Sequence, residues 1–364
     1  MKVTKRKAAL GGLAMFGAAV LLAGCGSAPE ETDGGDGGEA LDFIPCMVSD
    51  AGGFDDKSFN QLSFEGLTQA ADELGVEPIT VESQSETDYA PNLTSLVDQG
   101  CNLIVTVGFA LSAATVESAL ANPDIEYVII DDAADNDFDG TVDAENIKPI
   151  LFDTAQAAFL AGYAAADFTT TNTVGTFGGM NFPTVSIFMD GFKQGVDYYN
   201  EETGKGVTVL GWDGADGLFT GGFDANDTAR QTAQSLIDQN VDVLLPVGGP
   251  IYQSAAAAIR EAGREIAMIG VDADFTETDP SVADLMLTSI LKGIDVGTYE
   301  AVLAAGNGEF DPTPFIGTLE NEGVGIAPFH DFESKVSPDL QAELDAISAG
   351  IIDGSIPVES YLAG

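Results

Sequence analysis

Between residues 41 and 263, short apolar runs of strand length alternate with segments whose apolar residues recur at helical spacing. This alternation constrains the fold most, because repeated strand–helix–strand units build a parallel sheet through right-handed crossovers. Residues 43–48 read as a buried strand, and Phe59, Leu62, Leu67, Ala70, Ala71 and Leu74 then mark one face of a helix. Strands follow over 76–82, 102–109 and 127–132, interleaved with helices over 90–99 and 111–121. Phe152 and Asp153 lead into a helix over 154–168, where a second set begins. Its strands fall at 173–178, 207–212, 241–247 and 266–271, and its helices at 183–200, 226–239 and 251–262. Two sheets of similar size are expected.

The first strand joins the first helix through Ser49-Asp50-Ala51-Gly52-Gly53-Phe54-Asp55-Asp56-Lys57-Ser58-Phe59-Asn60-Gln61. Asp50 falls at the strand's carboxyl end, where open α/β sheets bind ligands. Ser58 followed by Gln61 reads as a capping box that starts the helix near Phe59 and aims its free N–H groups at the loop. A plainer reading makes Asp50, Asp55 and Asp56 ordinary turn and first-turn acids that complement the helix dipole.

Upstream, Lys2, Lys5, Arg6 and Lys7 precede an uncharged apolar run over 8–23, the layout of a secretory signal and too short for a membrane span. The run ends in Leu22-Ala23-Gly24-Cys25, which resembles the bacterial lipobox. Residues 1–24 are therefore expected to be a signal peptide, Cys25 the lipidated first residue of the mature chain, and 25–40 a flexible tether rich in Gly and acidic residues. The mature protein is expected to be anchored rather than embedded, by more than one acyl chain.

Charge narrows the partners. With 13 Lys+Arg against 59 Asp+Glu the net charge is -46, and the four early basic residues leave with the signal. Nucleic acid is thereby excluded as a partner, and a solvated acidic surface follows. With a single histidine, His330, multi-His metal sites and His-centred triads are nearly excluded. With Cys25 taken by lipid, Cys46 and Cys101 remain, and in an exported protein they are either a disulfide or two buried thiols.

Several motifs in order carry a resemblance. Asp50-x-Gly52-Gly53-Phe54-Asp55-Asp56-Lys57-Ser58-Phe59-Asn60 resembles the opening signature of the basic membrane protein family, purine-nucleoside-type lipoprotein receptors of ATP-binding-cassette importers. Residues 100–109 and Ile130-Asp131 are similar to its next strand motifs, and Gly175 through Met180 with Phe188 through Phe192 to the start of its second lobe. Gly221-Gly222-Phe223-Asp224, Ile269 through Asp274, Leu287 through Lys292 and Glu322 through Gly325 continue the series. The chain departs at Gly222, where Ser is usual, at Phe275, where Gln is common, and in the shortened glycine element Val247 through Ile251. These departures bear on base preference more than on fold.

The resemblance implies an α/β fold of the type I periplasmic-binding-protein kind, with two doubly wound parallel-sheet lobes joined by a hinge. The first lobe is expected to comprise 41–149 plus about 276–310, and the second 150–275 plus about 311–364. A strand over 285–290 and a helix over 296–305 would complete the first lobe. Residues 315–326 and a helix over 340–352 would complete the second. Cys46 and Cys101 lie on strands that are neighbours in such a fold, which implies their pairing.

The implied ligand is a nucleoside, purine favoured. Asp50 and Asp272 end different strands, and a desolvated carboxylate accepts two ribose hydroxyls at once. Asp131 would read the polar edge of a base whose faces Phe59 and Phe223 sandwich. Lys292 matches the family's cleft lysine and would keep the buried acids ionised. Asp56, Asn60, Met180 and Gly249 complete the implied site from their motifs. Against these stand plain readings of the phenylalanines as core and of Lys292 as a solvated helix-start residue. An importer's permease and ATPase, a lipid anchor on the outer membrane face, a monomer and no cofactor are also implied. Three rivals remain: a sugar receptor of the same fold, a receptor that signals without an importer, and a calcium-dependent nucleoside hydrolase built on Asp131-Asp132 and Asp272-x-Asp274.

Overall fold

The apolar runs become strands, buried except at the sheet edges, and the periodic segments become the helices that cover them, in a computed structural model that describes residues 41–362. The signal peptide, Cys25 and the tether lie outside the described residues. In chain order the first elements are β1 (Pro45–Val48), α1 (Phe59–Leu74), β2 (Ile79–Val81), α2 (Tyr89–Asp98), β3 (Leu103–Val107), α3 (Ser112–Ala121), β4 (Glu126–Ile130) and β5 (Ile147–Phe152). Next come α4 (Thr154–Phe168), β6 (Thr173–Gly178), α5 (Pro183–Thr203), β7 (Thr208–Leu210), α6 (Asp227–Ile237), β8 (Val243–Val247), α7 (Ile251–Ala262), β9 (Ala267–Asp272) and the short α8 (Phe275–Thr278). The chain then supplies β10 (Met286–Lys292), α9 (Ile294–Gly306), β11 (Phe315–Gly317), β12 (Val324–Ile326) and α10 (Leu340–Ile352).

These strands form two six-stranded sheets, ordered β2-β1-β3-β4-β5-β11 and β7-β6-β8-β9-β10-β12. Each lobe thus repeats one doubly wound order, with β10 and β12 the antiparallel exception. Cys46 on β1 and Cys101, just before the neighbouring β3, are disulfide-bonded with Cα atoms 5.9 Å apart.

The lobe boundaries differ from the expected ones. β5 runs on to Phe152 within the first sheet, so the first lobe does not end at 149. Pro149 disguises this strand, yet β11 joins only from Ile150 on, so Pro149 sits where β5 is still an edge. β10, expected in the first lobe, pairs with β9 in the second, and β11, expected in the second, pairs with β5 in the first. The alternation says which segments are strands but not which sheet each joins, and β10 follows the sequential pairing that short connections favour. α9 does fall where expected, packed along α1.

Three passages between the lobes follow: after Phe152 into α4, after Lys292 into α9, and from β11 to β12 through residues 318–323. They are tied together. Asp153 N–H donates to the Gly317 carbonyl at 2.8 Å, and Gly293 N–H donates to the Gly323 carbonyl at 2.9 Å. A Cβ on Gly317 would lie 3.0 Å from the Gly323 oxygen, so only glycine lets these strands cross so closely.

The expected capping box is absent. The Asp56 carboxylate takes the free amides of α1 instead, accepting from Ser58 N at 2.9 Å, Asn60 N at 2.9 Å and Gln61 N at 3.1 Å. An acid at this position also suits the positive end of the helix. Ser58 makes no side-chain cap bond, which leaves its hydroxyl for another partner.

Candidate functional site

A cavity of about 270 Å³ lies at the carboxyl ends of both sheets, close to the lower end of the range for small-molecule pockets. The segments after β1, β3 and β4 wall it from one lobe, and those at the ends of β6, β8, β9 and β10 from the other. Every ligand-site residue expected from the sequence lies on its wall.

Charge is concentrated at Asp131, Asp272 and Lys292. Asp272 ends β9 and Asp131 follows β4, the topologically equivalent strand of the other lobe. Both hold left-handed backbone, φ 64° at Asp131 and 68° at Asp272, strain that non-glycine residues adopt only where the surroundings fix it. Lys292, the last residue of β10, is only 4 % exposed, so it is not a solvated lysine. Its Nζ lies 2.5 Å from Asp131 Oδ2 and 3.5 Å from Asp272 Oδ1, bridging the lobes. Burial works against the ammonium, but Asp131 and Asp272 outweigh it and hold Lys292 above its ordinary range. Burial likewise drives Asp131 above the usual carboxylate range, and Lys292 pulls it back only in part.

Asp50 follows β1 and is half-buried. Its Oδ1 accepts from Gly52 N at 2.9 Å and Asn60 Nδ2 at 2.8 Å. Burial nonetheless pushes this carboxyl up to about 6, against the pull of those two donors. Asn60 donates to Asp56 as well, at 3.1 Å, while its buried Oδ1 has no partner among the described residues. Asp56 lines the cavity, but both of its oxygens hold the start of α1, so it positions the loop.

The opposite quality comes from aromatic rings. Phe223 belongs to a chain of rings with Phe182, 6.1 Å away, and Phe109, 5.0 Å from Phe182. A Cβ on Gly179 or Gly248 would strike the Phe223 ring, so those glycines make its seat. Phe59 sits with Phe188 beside the ammonium of Lys292, at 5.4 and 4.9 Å from ring centroid to Nζ. Sequence reasoning missed Phe109, Phe182 and Phe188 as cavity residues. A positional signal existed for two of them: Phe109 follows β3 as Asp50 follows β1, and Phe182 precedes Pro183 at the first helical position of α5. Phe275, a departure from the family pattern, is buried against Tyr252 at 4.2 Å and does not face the ligand space.

The acids needed for a calcium-dependent hydrolase do not converge. Asp132 is held by Ser112 Oγ at 2.5 Å and Ala134 N at 2.7 Å, and Asp274 by Thr276 N at 3.0 Å and His330 Nε2 at 2.7 Å. Where such a site would want a cation, the two remaining carboxylates already hold Lys292. Among the described residues the acids that gather closely are Asp135, Asp137 and Asp143, none of which lines the cavity.

The chain is 30% identical to basic membrane protein A of Borreliella burgdorferi over 85% of this chain and 86% of that one. It is 27% identical to the ABC transporter nucleoside-binding protein BmpA of Lactococcus lactis over 98% and 99% of the two chains. A solute-binding protein of an ABC transporter system from Aeropyrum pernix superposes with a TM-score of 0.77 at 25% identity, covering 88% of this chain and 94% of that one. The two-lobed, parallel-sheet fold is thus that of ABC solute-binding proteins of the periplasmic-binding-protein type. A family model for Bmp, described as ABC transporter substrate-binding protein PnrA-like, matches residues 43–359, and the chain therefore belongs to that family.

Proposed function

We propose that this protein captures a nucleoside, purine favoured, between its lobes and hands it to the permease and ATPase of an ABC importer. One observation carries the reading: a single cavity is lined both by carboxylates, those of Asp50, Asp131 and Asp272, and by aromatic rings, among them Phe59, Phe109, Phe182 and Phe223. A ribose brings neighbouring hydroxyl donors and a base brings a flat apolar face, so the lining offers a partner to each half of one ligand. The nucleoside-binding relative from Lactococcus lactis points the same way. Lipid attachment at Cys25 would hold the protein at the outer face of the membrane, and no helix among the described residues is long and apolar enough to cross it. Cys25→Ala should lose acyl label and leave the membrane fraction, and label that persists would place the anchor elsewhere.

Titration calorimetry with guanosine, inosine, adenosine, uridine and ribose tests the capture reading. Asp272→Ala should cost about 2–5 kcal/mol for every ribonucleoside, as loss of a charged acceptor in a water-poor cleft does. Phe223→Ala should cost about 1–3 kcal/mol, the value of one base stacked on an aromatic ring. Asp131→Asn should reorder the bases, since an amide both donates and accepts. Ribose binding as well as the nucleosides would favour the sugar-receptor reading.

A further inference from the structure

We propose that Lys57, Ser58 and Thr278 form a latch between the lobes that sets how firmly the cleft stays closed, for every ligand alike. Ser58 is wholly buried, and its hydroxyl lies 2.9 Å from Asp272 Oδ2 and 3.1 Å from the Val271 carbonyl. Those atoms belong to the opposite lobe. Beside this contact, the Thr278 hydroxyl donates to the Lys57 carbonyl at 2.8 Å, again from one lobe to the other. The cleft is therefore crossed by direct protein–protein hydrogen bonds as well as by whatever ligand it holds.

Both halves of the latch are held in place. Asp56 fixes Ser58 through its amide, and Lys57 takes left-handed backbone, φ 64°. On the other side Asp274 caps α8 at Thr276 N and is itself paired with His330, which fixes the turn carrying Thr278. The missing capping box acquires a meaning here: because Asp56 caps α1, the Ser58 hydroxyl is free to cross the cleft. None of Lys57, Ser58 and Thr278 lines the cavity. Their contribution therefore enters through the fraction of protein that is closed, which scales the apparent affinity of all ligands by one factor. Ser58 acts through Asp272 and is a positioning residue, and selectivity among ligands is left to the cavity wall.

The test uses Ser58→Ala and Thr278→Val in the full mature chain, with Thr278→Ser as the variant that keeps the hydroxyl. It rests on the nucleoside reading only for its probes, guanosine, inosine, adenosine and uridine. Ser58→Ala, which removes a bond to a carboxylate, should raise every Kd about tenfold. Thr278→Val, which removes a neutral bond, should raise every Kd about 2- to 10-fold, with ratios among ligands unchanged and the loss carried by faster release. Thr278→Ser should bind as the unaltered protein does. Unchanged Kd values, or changes that differ from ligand to ligand, would overturn the latch. A second reading needs no ligand: single-molecule energy transfer between dyes at Leu120→Cys and Ile352→Cys, exposed positions on the two lobes. The ligand-free closed population should fall in Ser58→Ala and Thr278→Val, and an unchanged population refutes the proposal. Should the unaltered protein bind none of the four probes, the nucleoside reading fails and the latch is judged by this population.

Discussion

Replacing Lys292 by Met keeps the length and apolar stem of the side chain but removes the cation between two buried acids. Asp131 and Asp272 are 6 % and 5 % exposed, and Lys292 Nζ lies 2.5 and 3.5 Å from their oxygens. Those oxygens are thus at most about 6 Å apart, where two unit charges repel by about 3 kcal/mol at an effective dielectric of about 20. Because the acids sit on different lobes, this repulsion is relieved by opening the cleft. The loss should therefore appear in closure rather than in global unfolding. It amounts to roughly a 100-fold rise in Kd, which calorimetry with guanosine reads, together with a larger radius of gyration by small-angle scattering. Burial already pushes Asp131 up, so its protonation at lower pH should shrink the penalty. Neutralising the same acid in Lys292→Met/Asp131→Asn should restore compactness in part. A single variant as compact as the unaltered protein, or a double variant no more compact than the single one, would refute the electrostatic bridge.

Other consequences are as direct. Asp50 has its pKa raised from 3.8 to about 6, so its ionised form opposes folding; the stability it contributes is complete below about pH 4 and is lost as pH rises through about 6. Asp50→Asn should thus raise stability by about 1–2 kcal/mol at about pH 8, after allowing for solvent in the cleft, and by nothing at about pH 3.5, and a gain of equal size at both would exclude titration as the cause. Removing the bond that spans 55 residues, by Cys46→Ser with Cys101→Ser, should cost about 2–5 kcal/mol in a denaturant titration, and no loss would mean the pair does not restrain the unfolded chain. A chain of net charge -46 repels itself, so its melting temperature should climb as salt shortens the screening length from about 10 Å to about 3 Å, whereas a flat response would show the charge already balanced by local contacts.

Much of this molecule was legible because strand ends in a doubly wound sheet are where loops carry glycine and acid, and those loops stand out between apolar runs. Asp50, Asp131 and Asp272 each close such a run, whereas Lys292 was marked only by the family resemblance. What sequence did not reveal were relations between runs. β10 is as apolar as a strand of either lobe, and only its pairing with β9 assigns it. Pro149 interrupts the run of β5, and only the pairing of β11 from Ile150 on shows that it sits at an edge. Ser58 and Gln61 have the spacing of a capping box, but Asp56 caps the helix and the Ser58 hydroxyl bonds Asp272, a residue 214 positions away. Phe182 and Phe188 look like core in any helical count, because nothing local tells a ring facing a cavity from one facing a neighbouring helix.

The two lobes also share a pattern that no single strand discloses. β4 and β9 hold the same place in their sheets, and each ends in a left-handed aspartate aimed at the cleft. The next strands differ: β10 ends in Lys292, whereas β5 ends in Phe152 and leads to Asp153. A symmetric pair of acids is therefore served by a single cation from one lobe, and that cation must reach across to satisfy the other. Lys292 with Asp131 in one direction, and Ser58 with Asp272 in the other, make the closed state depend on each lobe's acid finding a donor beyond its own. The protein's own donors satisfy only part of each carboxylate's capacity to accept, about four lone-pair sites in all. On the proposed reading, the hydroxyls of a nucleoside would occupy the remainder only when the lobes meet, so the chemistry that recognises the ligand would also reward closure.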